Sequence, residues 1–297
     1  MCAPYPFEHQ GAGERADEGL LRNEGGRMLC RVGADEIQAL RTVLASGQAM
    51  LFTGAGFSSS ACDRRGRSIP SSEEITREIW DICFPGEEQD GSSLTDLFHH
   101  ASRRCPDRLD ALLRERLSVS EERLPEFYRR WFSVPWKRAW TLNVDDIECA
   151  AARRFRLPRP IEPISALTTP LRPELLHTRG LVFVHLNGRV GDGVRHVTFS
   201  TTQYGERLAR NDPWYSQFVD DLVHHPFVIV GTRLEEAPFW RTLHQHYGGD
   251  QAAPGEVCTA FIVSPKLTRA RRILLEDIGI RWLKMSAEEF AENVLAE

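Results

Sequence analysis

Four short stretches of this chain hold residue types that can do chemistry: TGAGFS at 53–58, TLNVDD at 141–146, HLNGRVGD at 185–192 and GTRLEE at 231–236. In the first, Gly54 and Gly56 let the main chain bend tightly and approach a ligand closely. A helix following such a turn would aim its unpaired N–H groups and dipole at the same spot, which suits a phosphate. The turn is not a full dinucleotide fingerprint, because Ser59 stands where the third glycine belongs. The other stretches each join glycine or a small residue to Asn, Asp, His or Thr, groups that hydrogen-bond a ligand or move a proton.

Each of these groups also has a plain structural use. Asn143 and Asp145 can cap the helix expected from DDIECAAARRF, and His185 can be a satisfied core histidine at a strand end. Asn187-Gly188 is a common turn dipeptide, and Gly231-Thr232 can be a simple strand exit. Such uses do not explain why four strand endings of one sheet share this character.

The elements that must position them are legible as apolar runs. QAMLFTG, KRAWTLNV, GLVFVHLNG, HVTFS, PFVIVGT, CTAFIVS and IRWLKM predict strands, several of them buried on both faces and interleaved with helices. This pattern predicts an α/β fold, a Rossmann-like, mostly parallel sheet with helices on both faces. Ligands of such sheets bind at the carboxyl ends of the strands, which is where the four stretches fall. Between Ser68 and Trp136, SSEEITREIWDICF, SLTDLFHHASRR, DRLDALLRERLS and LPEFYRRWF read as short amphipathic helices, a helical insertion at about 68–136. Its Phe98, Phe127, Trp131 and Phe132 exceed what a thin layer buries and predict an apolar assembly surface. Residues 1–33, rich in Gly, Glu and Arg, predict a disordered tail, with Met28 an alternative start and 34–297 the folded domain.

Composition narrows the function classes. The 297 residues carry 37 basic against 42 acidic side chains, a formal charge of −5 that offers no field for wrapping nucleic acid or adhering to an anionic membrane. No apolar run approaches the ~20 residues of a membrane span, and the N-terminus has no signal-peptide pattern. The seven cysteines include no Cys-x-x-Cys pair, so no zinc ribbon is expected and the thiols read as those of a reduced, cytoplasmic protein.

The order GAGFS, TLNVD, HLNG and VGT resembles the sirtuin family, in which GAG-x-S, T-x-N-x-D, L-H-G and G-T/Y-S recur in that order on a Rossmann-like sheet. TLNVDDIECAA and TFSTTQYGERL…WYSQFVDDLVHHPFVIVGTRLEEAPF are similar, more closely, to the sirtuin-like NAD hydrolases of bacterial antiviral defence. The likeness runs from about Ala34 to the end. It implies NAD as substrate or ligand, with Gly54, Ala55, Gly56 and Ser58 cradling the pyrophosphate and Gly231 and Thr232 on the adenosine side. Asn143 would orient the nicotinamide ribose and the attacking water, and Asp145 would stabilise developing positive charge or fix Asn143. Between Asn143 and His185 only Cys149 is available, so the four-cysteine zinc ribbon of deacylating sirtuins cannot form and the deacylase reading falls.

One departure stands out. Aligning HLNG on L-H-G puts Asn187 where the family's catalytic histidine is expected, and an amide cannot accept a proton at neutral pH. His185 lies two residues earlier on the same strand face, about 6.5 Å away, and is the nearby candidate for a proton acceptor. Two functions therefore follow: an NAD hydrolase releasing nicotinamide and ADP-ribose as an antiphage effector, or a non-catalytic module sensing NAD or ADP-ribose. A homo-oligomer and a separately encoded sensor or ATPase partner complete the expectation.

Overall fold

The computed structural model describes residues 34–209, 212–246 and 259–295; the tail read at 1–33 lies outside them. Seven strands form one sheet: β1 Met50–Thr53, β2 Arg138–Thr141, β3 Ile161–Ser165, β4 Leu181–His185, β5 Phe227–Val230, β6 Ala260–Val263 and β7 Ile280–Leu283. Their order is β3-β4-β2-β1-β5-β6-β7 and every neighbouring pair is parallel.

Burial explains the apolar runs. All residues of β1, β2, β4, β5 and β6 are buried, so neither face of these strands tolerates the polar alternation of a half-solvated strand. Leu51, Ala139, Phe183, Val228 and Phe261 belong to the core on one face, and Phe52, Trp140, Val184, Ile229 and Ile262 to the core on the other. The first face is covered by α1 (Ala34–Ala45), α2 (Ser72–Cys83), α3 (Leu94–Arg104), α4 (Pro106–Leu117), α5 (Phe127–Ser133) and α6 (Ile147–Arg154). A short α7 (Thr201–Ala209) packs against α3. Helices α8 (Pro213–His224), α9 (Ala237–His246) and α10 (Arg269–Asp277) cover the second face, and α11 (Ala287–Asn293) returns to the first.

Two expectations need correction. HVTFS is not a strand: a 3-10 turn ends at His196 and the chain runs on extended, with the Thr198 N–H donating to the Asn187 carbonyl at 2.9 Å. The strand missing from the sequence reading is IEPIS, β3. It sits at the sheet edge and is only partly buried, where Pro163 costs no ladder hydrogen bond that the sheet needs.

The second correction concerns the segment between β1 and β2. Helices α2 to α5 form there, the first opened by a Ser71–Glu74 capping box. Phe98, Phe127, Trp131 and Phe132 do not make an assembly surface, because all four are buried within this chain. The Trp131 ring stacks on Phe290 of α11 at 4.9 Å and Phe132 lies 6.1 Å from Phe183 of β4, so these aromatics fill the space between insertion and sheet.

Candidate functional site

The chain leaves β1 to build β2 and β4 on one side, then crosses back to β5 on the other, so the topological switch point, where sheets of this kind take ligands in a crevice, lies at the carboxyl end of β1. The turns after β1 and β5 meet there in close backbone contact. Gly54 N–H donates to Val230 O at 2.9 Å and Gly56 N–H to Gly231 O at 2.8 Å. A Cβ on Gly54 would stand 2.6 Å from Thr232 Cβ, and one on Gly231, whose φ is +73°, only 2.1 Å from Phe57 N. The bare backbone of TGAGFS thus serves first to bring two loops together.

No long helix follows this turn. A three-residue 3-10 turn, Ala55–Phe57, stands in its place, and the N–H groups of Phe57 and Ser58 close back on Gly54 O and Ala55 O. The helix dipole expected from the sequence is therefore lacking at this spot. The insertion fixes the turn from behind: Phe57 is ringed edge-on by Tyr128 at 5.3 Å and Trp131 at 5.4 Å, and Tyr128 OH donates to Phe57 O at 2.5 Å. Farther along, buried Asp63 accepts from the N–H groups of Arg65 and Arg67 and pairs with Arg116 of α4 at 2.5 Å.

Asn143, just past β2, is nearly buried. Its Nδ2 donates to Gly54 O and Ser58 Oγ, both at 3.0 Å, and its own N–H donates to Thr141 Oγ1 at 3.0 Å. The amide nitrogen is thus spent on the Gly54 turn, while Oδ1 accepts no hydrogen bond from the described residues. Ser58 has no exposed surface; its hydroxyl lies among protein groups rather than in the crevice, against the expectation that it cradles a pyrophosphate. Burial pushes the Asp145 carboxyl up to about 7, opposed by the Ser58 hydroxyl, with Glu148 adding to the rise and His185 opposing it. Asp145 Oδ1 accepts from the N–H of Ile147 at 3.2 Å, so it also holds the start of α6.

His185 is wholly buried. Its Nδ1 lies 2.9 Å from Asn143 O, and its Nε2 lies 3.2 Å from Glu148 Oε1, at ion-pair distance without hydrogen-bond geometry. The ring therefore faces the main chain of Asn143 and a carboxylate, not the crevice. Asn187 is equally committed. Its Nδ2 donates to Leu142 O at 3.2 Å and Tyr204 OH at 3.3 Å, and its Oδ1 accepts from Arg207 Nη1 at 3.0 Å. Arg207 in turn pairs with Asp212 at 2.6 Å and lies 4.8 Å from the Tyr215 ring centre, so position 187 ties α7 and α8 to β4.

Thr232 Oγ1 accepts from the N–H of Leu234, the one non-glycine with positive φ among the described residues, and Arg233 is exposed. The structure thus gathers Gly54, Ala55, Gly56, Ser58, Asn143 and Asp145 with Gly231 and Thr232, and sets His185 and Asn187 behind them. Sequence reading missed Glu148 and Arg207. An acid in a helix's first turn reads as an ordinary dipole partner, and nothing in the pattern marks the arginine.

A separate cavity of about 450 Å³ opens at the amino end of β2, lined by Lys137, Arg138, Leu176, Gln217, Asp221 and His225 among others. It holds none of the residues singled out from the sequence. Among the described residues no group of three or more His, Cys, Asp or Glu side chains is placed to hold a metal ion, and no helix is long and apolar enough to cross a membrane.

Residues 138–283 match the SIR2-like domain family, from the first residue of β2 to the last of β7. The matched stretch, just under half of the 297 residues, supports a sirtuin-like reading. It leaves out β1, yet that strand lies between β2 and β5 within the matched sheet. No curated protein matches the chain.

Proposed function

We propose that this sirtuin-like chain binds NAD across the carboxyl ends of β1, β2, β4 and β5 and cleaves it to nicotinamide and ADP-ribose. The observation that carries the reading is Asn143: its Nδ2 is fixed by Gly54 and Ser58, which leaves Oδ1 to receive a ribose hydroxyl or a water. Cleavage of the nicotinamide–ribose bond passes through an oxocarbenium-like state with a leaving group already cationic, so little acid assistance is needed. What the protein supplies is placement and electrostatics. Asp145, when ionised, adds negative charge beside the developing cation. Gly54, Ala55 and Gly56 border the pyrophosphate, and Gly231 and Thr232 the adenosine side. His185 acts in this reading by holding Asn143 rather than by taking a proton. Purified protein, alone and with separately encoded partners, is to be assayed for nicotinamide release; silence under every condition removes the hydrolase.

One observation favours a second reading. Neither Asn187 nor His185 offers a free nitrogen to a ligand, so the pocket can serve as a non-catalytic sensor of NAD or ADP-ribose. Calorimetry with recovery of intact ligand supports the sensor, and failure to bind any adenine dinucleotide removes both readings. The antiphage setting and the separate sensor or ATPase rest on the sequence resemblance, the cytoplasmic location on the cysteine pattern, and the homo-oligomer on aromatics that are buried within this chain. Light scattering that finds only monomer at high concentration counts against the oligomer.

A further inference from the structure

Glu148 stands in the first turn of α6, five residues beyond Asn143, with no exposed surface. Its Oε1 lies 3.2 Å from His185 Nε2 and 3.5 Å from Arg189 Nη2 and accepts from Cys149 Sγ at 3.2 Å, while its Oε2 accepts no hydrogen bond from the described residues. Burial works to raise this carboxyl, but the neighbouring His185 and Arg189 outweigh it and hold Glu148 below the usual carboxylate range.

Stability is a poor reason for such a cluster. A buried ion pair is often matched or bettered by apolar residues of similar volume, because desolvation costs as much as the pairing returns. The cluster does fix a ring. The Asn143 carbonyl only accepts hydrogen bonds, so Nδ1 of His185 must carry the hydrogen between them. A flip of the imidazole would put Cδ2 in place of Nδ1 and lose that bond. The same flip would turn Cε1 toward Glu148 in place of Nε2, so a hydrogen on Nε2 meets the carboxylate only in the unflipped ring.

We propose that Glu148 is a positioning residue, which orients His185 and through it fixes the main chain of Asn143 and the aim of its amide. The inference rests on the reading of Asn143 as the group that orients ligand and water.

The test is Glu148→Gln in the full chain, read by the ring nitrogen resonances of His185, the carbonyl carbon resonance of Asn143, and nicotinamide release with kcat and KM separated. The ring and carbonyl signals should both move from their wild-type positions, and kcat should fall roughly 10–100-fold with KM little changed, as a displaced catalytic contact predicts. Unchanged signals, or an unchanged kcat per folded molecule, overturn the proposal. If Glu148→Gln does not fold, Glu148→Met keeps the volume, removes the buried charge and is read in the same way. If the wild-type chain releases no nicotinamide, the hydrolase reading is what fails, and the two resonances alone decide this one.

Discussion

The Gly56 N–H donates to the Gly231 carbonyl across 2.8 Å, so the turns leaving β1 and β5 lie backbone against backbone. Gly231→Ala must therefore displace Phe57 N from 2.1 Å and place alanine at a φ of +73°. Strain of this kind costs at least about 1–3 kcal/mol before the clash is counted. Chemical denaturation should show a loss of that order or more together with weaker NAD binding. A variant as stable as the wild type means the two turns can part freely.

Asn143→Ala removes the amide whose Nδ2 holds Gly54 and Ser58 and whose Oδ1 remains for a ligand. Nicotinamide release should fall by roughly 10²–10³, the usual cost of losing one preorganised polar contact. Full activity in this variant of a demonstrated hydrolase would place the chemistry elsewhere.

Asn187→His restores the residue that the family pattern expects. Here the side chain is already committed to Leu142, Tyr204 and Arg207, and imidazole cannot reproduce that set. The variant should lose about 1–3 kcal/mol, the cost of unsatisfied buried partners, with no gain in nicotinamide release. A rise in turnover above the wild type contradicts the burial of this position behind the site.

Asp145→Asn tests the buried carboxyl through pH. With its pKa raised from 3.8 to about 7, Asp145 binds its proton more tightly in the folded state than in the unfolded. Stability therefore falls as pH rises through that window, and the whole cost is present above it. Asparagine removes the titration, so the variant should gain on the wild type at pH 8 by at most on the order of 4 kcal/mol and lose that gain below about pH 4. Melting curves that run parallel at every pH would mean the carboxylate carries no penalty.

What the sequence discloses follows from burial. MLFT, RAWT, LVFVH, FVIV and AFIV are legible because both faces of each strand are covered, and Asn143, Asp145 and Gly231 because they end such runs. IEPIS is not, since an edge strand tolerates Glu162 and Pro163. HVTFS misleads because Val197 and Thr198 are buried without pairing in a ladder. The roles of His185 and Asn187 were beyond reach for another reason. Strand periodicity gives the face of a side chain, but its partners, Glu148 and Arg207, come from helices that the pattern does not dock.

The place of β1 has a consequence for how the molecule is made. Met50 opens a strand whose neighbours start at Arg138 and Phe227, so both edges of β1 stay unpaired until much later elements have been made. The entropy of closing those long loops must be met before any ladder bond rewards it. The apolar MLFT segment gains its first neighbour with Arg138–Thr141 and its second only with Phe227–Val230, and the glycine contact between its turn and that of β5 cannot form before then. Nascent chains ending before Phe227 hold at most β3, β4, β2 and β1, with the outer edge of β1 unpaired, and lack the Gly231–Thr232 turn that meets Gly54 and Gly56.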